Sequence, residues 1–399
     1  MGNADSAPHQ QCSALVMSGE ESVAFDAVWA KHSVHDETHL SAKALLEATT
    51  PSSLPVDAEL IFDLFDFLQC PGREAWKRAV DSVVYDMPQR EFWRRFIAFY
   101  TRSDKCIFSA IAYACGGEHW NCSNKSCPLC SALRGISAAQ AYSWGTSSMP
   151  RLFSSIKALL RFRLLGDATK YMALSVPNLQ SSLPSVIPFA LSMAFEEEWA
   201  NGTLLFSTDL HGLSFEAMAA KITGYAGPTM IVVESPGGSI FAGYTTYQWK
   251  QEGAFYGEGD SCLISFLPTF HCYRRTSRAR NYMYLNVKKS AVAKGLGMGG
   301  ADSHPRLWLD NELEACRGSQ YGLTYQAGKL HSSEESFAPS NIKVWGYGSA
   351  EALERQARIK AVQDRVTANM RKVDKSAFAE SAFDREFLLG KTFGASEKR

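Results

Sequence analysis

The chain has 399 residues, 46% of them hydrophobic and 21% charged, a balance that belongs to a folded protein and not to a disordered one. Its 41 basic and 41 acidic residues cancel, so no global field draws it to nucleic acid or anionic lipid, and any such role needs a local patch. The length allows about two or three domains, and no apolar run approaches the ~20 residues of a membrane span.

Met1-Gly2-Asn3-Ala4-Asp5-Ser6 fits M-G-x-x-x-[ST], the acceptor pattern for myristoylation of Gly2 after Met1 is removed. The alternative is the chance occurrence of common residues. One myristoyl chain holds a protein at a bilayer only marginally, so a second signal is required. Palmitoylation of Cys12 or a membrane-bound partner can supply it. No basic-then-apolar leader pattern is present, and the cysteines are therefore expected to stay mostly reduced on the cytosolic side. Residues 1–19 are expected to form a flexible, lipidated N-terminus.

Residues 20–179 carry helical periodicity. Ala58 to Leu68 places apolar residues at three- and four-residue spacing and is stopped by Pro71-Gly72. Pro88 suits the start of the helix Gln89 to Tyr100, whose Phe92, Phe96, Phe99 and Tyr100 share one face and read as core. Paired helices of this kind are EF-hand-like, but no D-x-[DN]-x-[DN]-G loop accompanies them and calcium is not expected. Pro51 to Pro55 and Gly145 to Pro150 read as joints. Cys115, Cys122, Cys127 and Cys130 lie close together with His119 among them, and Cys127-x-x-Cys130 has knuckle spacing for zinc. A structural zinc site is one reading. Loop thiols or palmitoylation sites are the other.

From Gly202 the texture changes to short β runs: Thr203–Ser207, Thr229–Glu234, Ser239–Thr245, Ser261–Phe266, Tyr282–Leu285, Arg306–Leu309 and Ile342–Tyr347. Ser235-Pro236-Gly237-Gly238 joins two of them as a hairpin turn, and one helix, Ser214–Ile222, interrupts the series. Such strands predict an antiparallel sandwich. Arg274, Arg275, Arg278 and Arg280 read as a solvated loop. Gly295-Leu-Gly-Met-Gly-Gly300 satisfies G-x-G-x-x-G, but its approach is polar and Pro305 stands where a helix should elongate. It reads as a crowded turn between two β elements.

Beyond Gly348, residues 349–399 open with a charged helix over Ser349 to Lys375 and the i,i+4 pairs Glu351/Arg355 and Glu354/Arg358. Ile359, Val362, Val366, Met370 and Val373 trace a narrow apolar stripe along it. That stripe either folds back on the helical region or serves as an arm for a partner.

The succession Leu204–Phe215, Phe241–Tyr244, Tyr282–Asn286, Gly295–Gly300 and Val344-Trp345-Gly346 resembles the TLDc domain in order and spacing, over residues 180–348. The likeness extends in plan to a myristoylated lysosomal member of that family linked to TOR growth signalling. The resemblance implies an α+β fold: an antiparallel TLDc sandwich after a helical region and before a long helix. It further implies a partner, the cytosolic ATP-hydrolysing sector of the vacuolar proton pump, contacted through the TLDc surface and the C-terminal helix. The expected location is cytoplasmic, peripheral to lysosomal or vacuolar membranes.

Catalysis is not expected. Ser214 lacks the second glycine of a nucleophile elbow, and His211, His271 and His304 are scattered. Cys262 and Cys272 sit in β runs, where small buried thiols are common. The reading is a non-catalytic adaptor with no nucleic-acid partner, small-molecule substrate or cofactor other than that zinc. The alternative is an oxidative-stress-defence factor with enzymatic or redox activity, in keeping with the family's link to oxidation resistance.

Overall fold

The computed structural model describes residues 15–34, 39–41, 59–115, 125–166, 183, 186–195, 202–300, 305–331 and 336–371. Its first half is a helical layer: α1 (Gly19–His32), α2 (Glu59–Leu64), α3 (Arg73–Asp81), α4 (Gln89–Arg102), α5 (Ile107–Ala114), α6 (Pro128–Ala132), α7 (Ala138–Ser148), α8 (Leu152–Leu165) and α9 (Val186–Ala194). A small hairpin, β1 (Ser33–Val34) with β2 (His39–Leu40), follows α1. Local chemistry sets the helix starts. Ser18 accepts from the Glu21 N–H at 3.2 Å while the Glu21 carboxylate accepts from the Ser18 N–H at 2.8 Å, a reciprocal cap. Ser137 and Gln140 repeat the arrangement at α7. Pro88 caps α4, and Phe92, Phe96 and Phe99 of its aromatic face are buried as expected, with Tyr100 half-buried.

The second half supplies β3 (Thr203–Ser207), α10 (Thr208–His211), α11 (Phe215–Ile222), β4 (Thr229–Glu234), β5 (Ile240–Thr245), β6 (Ser261–Leu267), β7 (His271–Arg274), β8 (Met283–Asn286), β9 (Gly295–Met298), β10 (Leu307–Asp310), β11 (Cys316–Gly318), β12 (Ser336–Phe337), β13 (Asn341–Gly346) and α12 (Ala350–Arg371). They build a six-stranded sheet in the order β3-β13-β4-β5-β6-β7 and a five-stranded sheet in the order β12-β11-β10-β9-β8, every pairing antiparallel. The α+β sandwich predicted from the sequence is the fold observed.

Side-chain alternation makes the larger sheet a middle layer. On β4, Ile231 and Val233 enter the core between the sheets, whereas Met230 and Val232 enter the core shared with the helices. On β6 the division is Leu263 against Cys262, Ile264 and Phe266. Burial on both faces explains why these strands read as continuous apolar runs. Polar contacts stitch the layers as well. Trp144 Nε1 donates to the Phe270 carbonyl at 2.9 Å, the Cys272 N–H donates to Ser148 Oγ at 3.0 Å, and the Phe270 N–H donates to the Pro128 carbonyl at 3.2 Å.

Three sequence expectations need correction. The joint over Gly145 to Pro150 begins later, because Gly145 to Ser148 are the last residues of α7, and a side chain at Gly145 would strike Trp93. Arg274 is no solvated loop residue: it donates to the Ser147 carbonyl at 2.9 Å and to the Ala194 carbonyl, and its guanidinium lies 4.6 Å from the Phe195 ring centre. It clamps β7 to α7 and α9. The third correction concerns the glycine run. Gly295 to Met298 is itself a strand, paired with β8 on one side and β10 on the other. Gly297 lies opposite both Tyr284 and Trp308, whose ring centres stand 5.4 Å apart, and a Cβ there would meet the indole at 3.0 Å. Glycine is required because two aromatic neighbours close over the strand. The N–H groups of Gly299 and Gly300 donate to the carbonyls of Tyr282 and Asn281, so they do not point at a phosphate.

Candidate interaction surface

α12 leaves the sandwich where β13 ends. The Gly348 N–H donates to the buried Tyr225 hydroxyl at 2.7 Å, and Gly227 packs so closely on Gly348 that a Cβ at Gly227 would lie 2.5 Å from its Cα. The first helical turns then dock. Ala352 and Gln356 are buried, and Leu353 and Ile359 are half-buried. The Gln356 side-chain amide donates to the carbonyls of Lys221 (2.7 Å) and Thr223 (3.0 Å), two otherwise orphaned acceptors at the end of α11. Gln356→Ala removes both bonds at a cost of about 1–2 kcal/mol. Amides of residues 350–360 should then exchange roughly tenfold faster, with the melting of the sandwich unchanged. Hydrogen exchange read by mass spectrometry checks this, and unchanged protection would show that apolar packing alone docks α12.

Past Lys360 the described side chains of the helix are exposed. Val362 is 59% exposed and Val366 48% exposed, so the part of the predicted stripe that is described divides in two. Ile359 faces Gly224 on the sandwich, while Val362 and Val366, one turn apart, face solvent. The side chain of Met370 and the whole of Val373 lie outside the described residues. Of the predicted helical ion pairs, Glu354–Arg358 forms at 3.4 Å. A second exposed apolar pair, Leu210 and Leu213, lies at the opposite end of β13, around α10.

The groups considered for catalysis are kept apart. His211 borders β3 at one end of the larger sheet and His271 belongs to β7 at the other. Five strand spacings of about 4.8 Å put roughly 24 Å between those edges. His211 Nδ1 is bonded to the Ser207 backbone, and His271 stacks on Tyr273 with its pKa lowered by burial. Ser214 caps α11 by accepting from the Ala217 N–H at 3.2 Å, and His304 lies outside the described residues. Burial pushes the Cys272 thiol up to about 12, the reverse of what a reactive thiolate requires. A polar cleft of about 590 Å³ beside β8 is lined by Glu258, Arg275, Arg280 and Tyr282 among others.

The cysteines fall out differently from their spacing. Cys127 and Cys130 come together, and their third neighbour is Cys106, the residue that opens α5. All three sulfurs lie within 4.8 Å of one another. Cys115 is buried but is not in this group, and Cys122 and Gly2 lie outside the described residues. Cys106 has no motif signal in the sequence because it stands 24 positions before Cys130, a separation that ligand spacing along the chain does not bridge.

Comparison with known proteins fits this architecture. Residues 178–348 match the TLDc domain. The chain is 29% identical to the MTOR-associated protein MEAK7 of Gallus gallus over 218 residues, half of this chain and 46% of that protein. It is 33% identical to the same protein of Homo sapiens over 147 residues, 36% of this chain and 32% of that one. Oxidation resistance protein 1 of Homo sapiens is 25% identical over 145 residues, 36% of this chain and 16% of that protein. The matches thus span less than half the length of these relatives. The chain carries a TLDc domain.

Proposed function

We propose that this TLDc protein is a non-catalytic adaptor that binds the cytosolic sector of the vacuolar proton-pumping ATPase at lysosomal or vacuolar membranes and links it to TOR growth signalling. One observation carries the reading: α12 is pinned to the sandwich by Gln356 and then projects Val362 and Val366 into solvent. An apolar pair on a helix fixed at one end is suited to lie in a partner's groove, because its orientation is set before binding. The likeness to relatives named for association with MTOR supports a regulatory role in place of a catalytic one. The test mixes the purified full chain with the pump's soluble sector. Co-migration on size exclusion supports the adaptor, and no co-migration at micromolar concentration ends it.

The rival reading, a redox-active factor of oxidative-stress defence, draws on the relatives named oxidation resistance protein 1. The burial of Cys262 and Cys272 weighs against thiol turnover at those positions. Peroxide consumption by the purified chain without pump binding would favour it.

Membrane attachment rests on Gly2. Gly2→Ala should shift the protein from the membrane fraction toward the soluble one, and partially, because a membrane-resident partner supplies part of the affinity. Mass spectrometry of the mature N-terminus is the direct check. An unmodified or acetylated Gly2 removes the anchor.

A further inference from the structure

We infer that Cys106, Cys127 and Cys130 form a structural site for a thiophilic divalent metal ion, zinc in the cytosol. The sulfurs come from two places in the helical layer. Cys106 immediately precedes α5, Cys127 immediately precedes α6, and Cys130 stands in the first turn of α6, on the same side as Cys127. Pro128 fixes that turn at the first helical position, so the C-P-L-C spacing converges its two sulfurs without choosing among many loop geometries. The Cys106 and Cys130 sulfurs are 3.7 Å apart, and all three fall within 4.8 Å of one another. Zinc–sulfur bonds of about 2.3 Å in a tetrahedron require sulfur–sulfur edges of about 3.8 Å. The Cys106–Cys130 edge is therefore already of the right length, and the other two are at most 4.8 Å long.

Burial selects the kind of site. The three residues are 3%, 1% and 0% exposed, which suits a closed structural centre and not an open catalytic one. Such an ion would tie α5 to α6 at a point where the layer meets the sheet. The Cys130 carbonyl accepts from the Tyr100 hydroxyl at 2.9 Å, and the Pro128 carbonyl accepts from the Phe270 N–H between β6 and β7. The ion would thus brace the contact between α4, α6 and the middle sheet. Thiolates are the ligands, so binding releases three protons and weakens as pH falls. A trio of small hydrophobic thiols in a core is the competing account, and it makes opposite predictions.

The full chain, purified without chelator, should carry about one zinc per molecule by elemental analysis. Cys106→Ser should lose it, whereas Cys115→Ser should retain it. X-ray absorption at the zinc edge of the unmutated protein should count at least three sulfur neighbours near 2.3 Å, and it also identifies the fourth ligand as sulfur or as nitrogen/oxygen. That measurement decides the case even if Cys106→Ser fails to fold. Absence of stoichiometric metal, fewer than three sulfur neighbours, or metal retained in Cys106→Ser and lost in Cys115→Ser would each overturn the assignment. So would a disulfide between two of these three thiols, seen as an intact mass two hydrogens light and placed by peptide mapping. The pump-binding proposal does not depend on any of these results.

Discussion

Arg306→Ala is expected to lower the stability of the TLDc sandwich by about 4 kcal/mol, a large share of the roughly 5–15 kcal/mol that holds a typical domain together. Arg306 is fully buried at the start of β10 and meets no carboxylate among the described residues. Its guanidinium donates to the carbonyls of Ser319, Gly328 (2.8 Å) and Gln326 (2.9 Å), and lies 5.2 Å from the Tyr273 ring centre. Those carbonyls belong to the segment between β11 and β12, which pairs with residues 274–276 at the end of β7 and buries Tyr325, whose hydroxyl donates to Ser261 Oγ at 2.8 Å. Burial lowers the Arg306 pKa to about 10, so it stays charged at neutral pH. Hydrogen bonds to a charged group contribute about 1.5–3 kcal/mol each, offset in part by the cost of desolvating the charge. Arg306→Met would refill the volume but leave the carbonyls bare, and should recover less than half of the loss. Urea denaturation measures both variants. A shift below about 1 kcal/mol in Arg306→Ala would mean that the segment holds itself in place.

Much of this fold is legible in the sequence, for physical reasons. The strand Thr229–Glu234 is apolar because both of its faces are covered, and the hairpin turn at Ser235–Gly238 announces itself by composition. The short strands β7, β11 and β12 were not legible. His271-Cys-Tyr-Arg274 carries a charge that exposure would ordinarily explain, and only the clamp from Arg274 to α7 and α9 shows why it belongs in a sheet. The union of the helical layer with the sheet was also hidden. Periodicity reports that a face is apolar but not which other face covers it, so Phe92, Phe96 and Phe99 give no sign of sharing one core with Met230 and Val232. The third sulfur of the cysteine cluster was missed for a related reason, since motif spacing counts along the chain while ligand geometry counts across it. The apolar stripe of α12 was legible as a stripe, yet its division at Ile359 into a docked half and a bare one came from the position of Gly224 and the end of α11.

That bare half should carry the largest functional effect. Val366→Asp is expected to weaken binding to the pump's soluble sector about tenfold or more, equivalent to at least about 1.4 kcal/mol. Burying a valine contributes roughly 1.5–3 kcal/mol, part of which is spent on ordering, and a carboxylate forced into the same groove adds a desolvation cost of its own. The substitution should leave the fold intact because Val366 is 48% exposed and touches neither core. Val362→Asp, at a residue 59% exposed one turn earlier, should act alike, and the two effects should be less than additive if both valines enter one groove. Deleting residues 349–399 should weaken binding at least as much as either. Isothermal titration against the purified sector, with circular dichroism of each variant as the folding control, measures these outcomes. Among the described residues Val362 and Val366 stand exposed. A truncated chain that still binds with full affinity would move the contact to the sandwich surface itself, where Leu210 and Leu213 around α10 are the next exposed apolar residues to substitute.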